Sequence, residues 1–316
     1  MNRKWSSIVT HPVGVLVLAI VCTMLWGSAF PAIKIGYEWF QIGADDLYGK
    51  FMFAGSRFFL AGVVVWVLGS LGRKKVLLPP KQAVFRITLL GIVQTALQYL
   101  FFYVALSYTT GVKGSIINSS GAFLAVILAH FCYANDRLNA RKWMGCALGI
   151  AGIILVNLDG GSLGGAFHFM GEGFMFFAAT CSAVGALISK WTAQRSDSVT
   201  ITAWQLMIGG LVLSAVGMAG GGSFQIPDFK GVLLFAHLVL LSSVAFALWT
   251  ELLKYNPLGK ISVYQFLIPV FGTLLSVIFL RESALHLSTV IALGLVCAGI
   301  FLVNRVSPKG GEKDAL

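Results

Sequence analysis

The sequence predicts an all-α integral membrane protein whose ten transmembrane helices form two inverted five-helix repeats, and three observations lead there. The first is composition: 57% of the 316 residues are hydrophobic and 11% are charged, with a mean hydropathy of +0.84. A soluble surface of this size calls for roughly a quarter of its residues charged. The second is spacing, because apolar runs of about 20 residues, the length that crosses about 30 Å of hydrocarbon, recur between short polar breaks. The third is that the chain aligns with itself when displaced by 147 residues.

The runs are read in order, with ends set by the polar residues that interrupt them. Run 13–37 follows Arg3 and Lys4, and 51–71 stops at Arg73-Lys74-Lys75. Run 85–109 follows Lys81, 114–133 stops at Asn135-Asp136-Arg137, and the short run 143–158 is accepted because polar breaks at 135–142 and 159–165 bracket it. The second series covers 171–194, 201–218, 231–255, 262–280 and 287–304. A β-barrel would instead alternate apolar and polar residues in segments of about 10; stretches such as 233–249 are apolar all round and read as helices. The first run imitates a signal peptide near Gly27-Ser28-Ala29, but it continues unbroken past that point and is read as retained.

The formal net charge of +11 then becomes a topology signal. Arg73, Lys74, Lys75, Lys81, Arg86, Arg137, Arg141, Lys142, Lys190, Arg195, Lys254 and Lys260 share one side with both termini. The opposite side holds Lys50, Lys113, Lys230 and Arg281 beside Glu38, Asp45, Asp46, Asp159 and Asp228. The basic side is cytoplasmic by the positive-inside rule, which places both termini in the cytoplasm of a multi-pass protein of the inner (plasma) membrane. The positive excess therefore gives no reason to expect nucleic acid as a partner.

The displacement by 147 carries 102–157 onto 249–304 without a gap, so that Tyr108 meets Tyr255, Ser115 meets Ser262 and Asn118 meets Gln265. Two homologous halves follow, 12–158 and 171–304, joined by Gly160-Gly161-Ser162-Leu163-Gly164-Gly165 and ending in a cytoplasmic tail, 305–316. Five spans is an odd number, so the second half enters the membrane from the opposite face. Such inverted repeats let one site be presented alternately to two sides.

Leu25-Trp26-Gly27-Ser28-Ala29-Phe30-Pro31 and Ser56-Arg57-Phe58-Phe59-Leu60-Ala61 resemble the first half of an EamA-type transporter of the drug/metabolite transporter superfamily. Ala105-Leu106-Ser107-Tyr108, the turn from Arg137-Leu138 to Trp143-Met144-Gly145, and Ile268-Pro269-Val270 with Arg281-Glu282 extend the resemblance along the chain. Ala122 stands where Pro269 has its counterpart, and Asn135-Asp136 where Glu282 does, so the two gates are expected to differ. The resemblance implies secondary active or facilitative transport by alternating access, with export of small organic metabolites such as amino acids. It implies no cofactor, a small-molecule substrate in a lipid bilayer, and a monomer or homodimer. The alternatives are a transporter of nucleotide sugars or nucleosides and, from another class, an integral membrane enzyme acting on lipid-linked substrates. The enzyme would need clustered acids, histidines or metal ligands, which the sequence does not offer. The five cysteines form no CxxC pair and the histidines no metal spacing.

Few ionisable residues fall inside the spans, and each is a candidate because a charge there costs at least about 2.5–3.5 kcal/mol. Lys34 either snorkels to the interface or binds substrate. Arg57 either pairs with Glu38 or Asp45 or holds a substrate carboxylate or phosphate through its planar guanidinium. Glu251 either pairs with Lys254 or couples protons. Trp26, Pro31 and Pro269 mark the first and ninth spans, where a proline frees a carbonyl and permits gating. Polar side chains gather at similar depth in the third and fourth spans of each half, and from them Gln98, Tyr99, Tyr103, Asn118, Trp249, Tyr264 and Gln265 are expected along the pathway. Gly145, Gly149 and Gly152 are read as a helix-packing stripe.

Overall fold

With no water in hydrocarbon, each backbone amide must be satisfied within its own segment, so apolar runs of this length fold as continuous helices. The computed structural model describes residues 3–43, 45–109, 114, 117–158, 168–225, 228–280 and 287–304, and the regular structure among them is helical. A short α1 (Arg3–Thr10) leads into α2 (Pro12–Trp39), capped by His11 and opened by a proline where a missing amide is harmless. α3 (Leu47–Arg73) starts at an Asp46 cap and ends at Lys74, whose left-handed backbone (φ 52°) turns the chain back. α4 (Lys81–Tyr108) contains a π-helical stretch at Gly91–Leu97. There follow α5 (Ser120–Cys132), α6 (Ala140–Leu158), α7 (Phe169–Ala193), α8 (Ser198–Ala219), α9 (Phe229–Tyr255), α10 (Leu258–Leu280) and α11 (Leu287–Asn304).

The protein is a multi-pass membrane protein: among the described residues α2, α3, α4, α7, α8, α9 and α10 are long and apolar enough to cross a bilayer. That is seven helices where the sequence predicts ten. α5 keeps regular helix over only 13 residues, about 20 Å, less than the hydrocarbon thickness. Several helices overrun their apolar runs by a few residues, as at Lys81 and Arg73, because helical hydrogen bonding continues into the polar interface. The 160–165 linker, Lys113, Asp159, Arg281, Glu282 and the 305–316 tail lie outside the described residues.

In lipid, helices associate through close packing of small residues. α3 and α8 run antiparallel along such a seam: Gly55 faces Gly210 and Ser214, Gly62 faces Ala203 and Met207, and Gly217 faces Met52. α6 meets α11 where Gly299 approaches the Gly145 carbonyl, and a Cβ on Gly149 would strike the Phe123 ring, so that stripe serves packing. α2 lies against α9 and α10 while α7 lies against α4 and α5; α3 touches α9 while α8 touches α4.

The connections after α3, α5, α7 and α9 gather at one end of the bundle. There Arg73 pairs with Asp197, Lys190 donates to the Leu253 and Asn256 carbonyls, and the Gly259 amide donates to Asp136. The opposite end carries Phe40, Phe53, Phe224 and Phe235, with ring centroids 5.0 to 6.4 Å apart. Trp26 packs against both of the large apolar clusters.

Candidate functional site

The stripe Trp26, Ala29, Phe30 and Ile33 recurs at helical spacing along one face of α2 and forms one wall of a cavity of about 950 Å³, its opening included. α3 contributes Arg57, and α4 contributes Gln94, Gln98, Tyr99 and Phe102. The π-helical stretch begins where α4 crosses α8: a Cβ on Gly209 would lie 2.4 Å from the Gly91 carbonyl oxygen and from Thr95 Cβ, and Thr95 bonds Gln205 at 3.3 Å. Gln94 lies in that stretch, and Gln98 and Tyr99 follow it. π-turns of this kind recur at functional sites because the extra residue re-aims the side chains around it. Asn118 and Ser119 precede α5, Ser182 comes from α7, and Leu241, Ser242, Phe246 and Trp249 come from α9. Gln265, Ile268 and Pro269 of α10 complete the lining.

The wall is aromatic. Trp26 meets Trp249 edge to face at 5.1 Å and Phe246 at 5.6 Å. Phe58 and Tyr99 lie 4.3 Å apart, and the Arg57 guanidinium sits 4.4 Å from the Phe58 ring and 6.0 Å from that of Tyr99. Arg57 is 2% exposed, and among the described residues it has no carboxylate partner. The pair with Glu38 or Asp45 that the sequence offered is therefore not formed. It is also the one charged side chain among the described lining residues.

Five lining side chains hold buried polar atoms with no hydrogen-bond partner: Trp26 Nε1, Arg57 Nε and Nη1, Gln98 Oε1, Asn118 Oδ1 and Trp249 Nε1. Leaving such a group unpaired costs about 1–3 kcal/mol, and more for a charged one. All five residues line one cavity, with donors on the guanidinium and two indoles and acceptors on two amides.

The structure brings Trp26, Arg57, Gln98, Tyr99, Asn118, Trp249, Gln265 and Pro269 of the sequence candidates together around this space. Five candidates lie elsewhere. Lys34 is exposed on α2, because the inward stripe of that helix passes through Phe30 and Ile33. Pro31 is buried in an α2 that continues without a break to Trp39. Tyr103 is fully buried one turn beyond Tyr99, ringed by Tyr37, Tyr99 and Phe102. Tyr264 packs into the apolar cluster beside Trp249 and Leu252. Glu251 is buried near the end of α9, off the cavity, and Lys254 reaches the Ser196 carbonyl at 3.4 Å.

Phe30, Ile33, Phe102, Phe246 and Ser182 escaped the sequence reading. The first four were within reach, since they fall three, four or seven residues from Trp26, Gln98 or Trp249 on the same helical faces. Ser182 had no such signal. Glu172, buried at the start of α7 and bonded to the His168 amide at 2.6 Å, and Lys190 were also missed as interior charges.

Comparison with known proteins agrees with this picture. A family model described as the EamA-like transporter family matches the chain twice, at residues 13–158 and 169–305. An uncharacterized transporter of Synechocystis is 27% identical over 89% of this chain and 87% of its own length. A WAT1-related chloroplastic protein of Arabidopsis thaliana is 27% identical over 91% of this chain and 68% of its own. An uncharacterized inner membrane transporter of Escherichia coli K12 is 24% identical over 89% and 87%. A solved crystal structure, 19% identical, superposes with a TM-score of 0.74 over 92% of this chain and 97% of its own, which shows the fold.

Proposed function

Because the chain belongs to the EamA-like transporter family, we infer that it exports a small organic metabolite, of the size of an amino acid, by alternating access through the Arg57 cavity. One observation carries this reading: five side chains that line a single cavity inside a membrane protein carry buried donors and acceptors with no partner. Structural side chains in lipid would be bonded to one another.

The helix pairing supports two inverted halves, α2–α6 and α7–α11. Exchanging the halves turns the α2 contacts with α9 and α10 into the α7 contacts with α4 and α5, and the α3–α9 contact into that of α8 with α4. The α3–α8 and α6–α11 contacts map onto themselves. Two gates built from one unit in opposite senses are what alternating access requires. Pro269, on the cavity wall, is the hinge of α10. The basic end, where α3, α5, α7 and α9 terminate, faces the cytoplasm of the inner membrane together with both chain termini.

Purified protein reconstituted into liposomes tests the reading by counterflow of labelled amino acids, hydroxy acids, nucleosides and sugars, with and without a pH gradient. Flux of at least one compound above empty liposomes is expected, reduced at least tenfold in Asn118→Leu. No flux of any compound overturns it.

A further inference from the structure

Resting on the transporter reading above, we propose that the cavity takes its substrate as an organic monoanion: a carboxylate on an apolar body that also carries one neutral hydrogen-bond donor, a hydroxyl or amide N–H. A zwitterion does not satisfy the same groups.

The sign of the site comes first. Arg57 carries a guanidinium, is 2% exposed and has no carboxylate partner among the described residues, and no described lining residue is acidic. A buried guanidinium is stable when an anion meets it, and its fork matches a carboxylate with two parallel bonds. Nε and Nη1 are unpaired atoms, and each offers an N–H to an anion. Trp26 Nε1 and Trp249 Nε1 add two further donors from rings in mutual contact. One fixed cation and two neutral donors balance a single negative charge. A phosphate dianion would leave one charge uncompensated in the same low dielectric.

The acceptors define the second group. Gln98 Oε1 and Asn118 Oδ1 are neutral oxygens suited to a hydroxyl or amide hydrogen. An ammonium placed on them would bring a positive charge into a cavity that already holds Arg57 and has no described acid to offset either. The remaining wall, formed by Phe30, Ile33, Phe102, Leu241, Phe246 and Ile268, takes the apolar body.

A monoanion that crosses without a co-ion is driven by voltage: an inside-negative potential of 100 mV expels it by a factor of about fifty.

Three compounds with one aromatic body test this: 3-phenyllactate (carboxylate and hydroxyl), 3-phenylpropanoate (carboxylate alone) and phenylalanine (zwitterion). Binding to the full chain in detergent is read by tryptophan fluorescence, and flux in liposomes with an imposed potassium diffusion potential. The expected order of affinity is phenyllactate, then phenylpropanoate, then phenylalanine, with at least tenfold between first and last and with phenyllactate flux following the potential. Asn118→Leu should bind phenyllactate and phenylpropanoate equally. Arg57→Gln should lose at least tenfold for both acids, and Arg57→Lys, which keeps the charge if the glutamine variant does not fold, should lose less. Phenylalanine bound as tightly as phenyllactate overturns the monoanion while leaving a transporter, and flux indifferent to voltage overturns its uncoupled movement. Ordered binding with no flux of any compound keeps the monoanion site and overturns transport.

Discussion

The amide of Gly259 donates to Asp136 Oδ2 at 2.7 Å, tying the connection after α5 to the first turn of α10. The other carboxylate oxygen lies 2.6 Å from Lys142 Nζ, and Asp136 is 3% exposed. This carboxylate thus spans the two matched segments of the chain.

Replacing Asp136 by alanine leaves a buried amide and a partly buried ammonium without their acceptor. We expect a loss of about 1–3 kcal/mol, read as a lower thermal midpoint in detergent. Asp136→Asn retains an acceptor for Gly259 and should lose less. Identical midpoints for the two variants would refute the role of the Gly259 bond.

Lys190 performs the matching task on α7. It is 7% exposed, donates to the Leu253 carbonyl at 3.1 Å and to that of Asn256, and lies 5.4 Å from the Tyr133 ring. Carbonyls at a helix C-terminus need a donor from outside the helix, and a cation there also meets the negative end of the dipole. Lys190→Met should therefore free the end of α9 and raise the alkylation rate of a cysteine placed at Leu253. An unchanged rate would show that the apolar contacts alone hold this end.

The α3–α8 seam makes a sharp steric prediction. A Cβ on Gly210 would lie 2.4 Å from the Phe59 amide nitrogen and 2.7 Å from the Gly55 carbonyl oxygen, both backbone atoms that cannot turn aside. Gly210→Ala should cost at least about 1–3 kcal/mol in thermal stability. Gly72, with nothing within 4 Å of its Cβ position, is the control: there alanine should be neutral or stabilising by up to about 1 kcal/mol. A Gly210→Ala midpoint equal to that of Gly72→Ala would mean the helices separate freely.

Acid sensitivity should arise at Asp197, which caps α8 through the Thr200 amide and hydroxyl at 2.9 and 2.8 Å and pairs with Arg73. Burial pushes its carboxyl up, but the hydrogen bonds from Arg73 and Thr200 together outweigh that and hold it below the ordinary 3.8. A carboxyl more acidic in the folded chain contributes its full stabilisation above that ordinary value, and the contribution disappears as pH falls through the folded one. Thermal midpoints measured below pH 5 should fall less steeply in Asp197→Asn than in the parent. Parallel curves would assign the acid response to other groups.

Much of the site was legible because polar residues in an apolar sequence are conspicuous. Gln98, Asn118, Trp249 and Gln265 stood out in this way, and the displacement by 147 paired Asn118 with Gln265 before any coordinates placed both on one cavity. Tyr103 and Tyr264 stood out equally, yet they are buried away from it, since depth along a helix does not state the direction of a side chain.

The amino-acid sequence by itself determined that the chain lives in lipid, that it folds as a series of apolar helices, and which end carries the basic charge. Hydrocarbon forces those outcomes: each backbone group must be bonded within its helix, and each charge must be placed. Lys34 and Arg57 show what it left undetermined. Both are single cations in spans apolar on every side, so no periodicity distinguishes an inward face from an outward one. Only packing decided, through the glycine seam that draws α3 against α8 and the aromatic stripe that turns α2, leaving Lys34 exposed and Arg57 buried against the cavity.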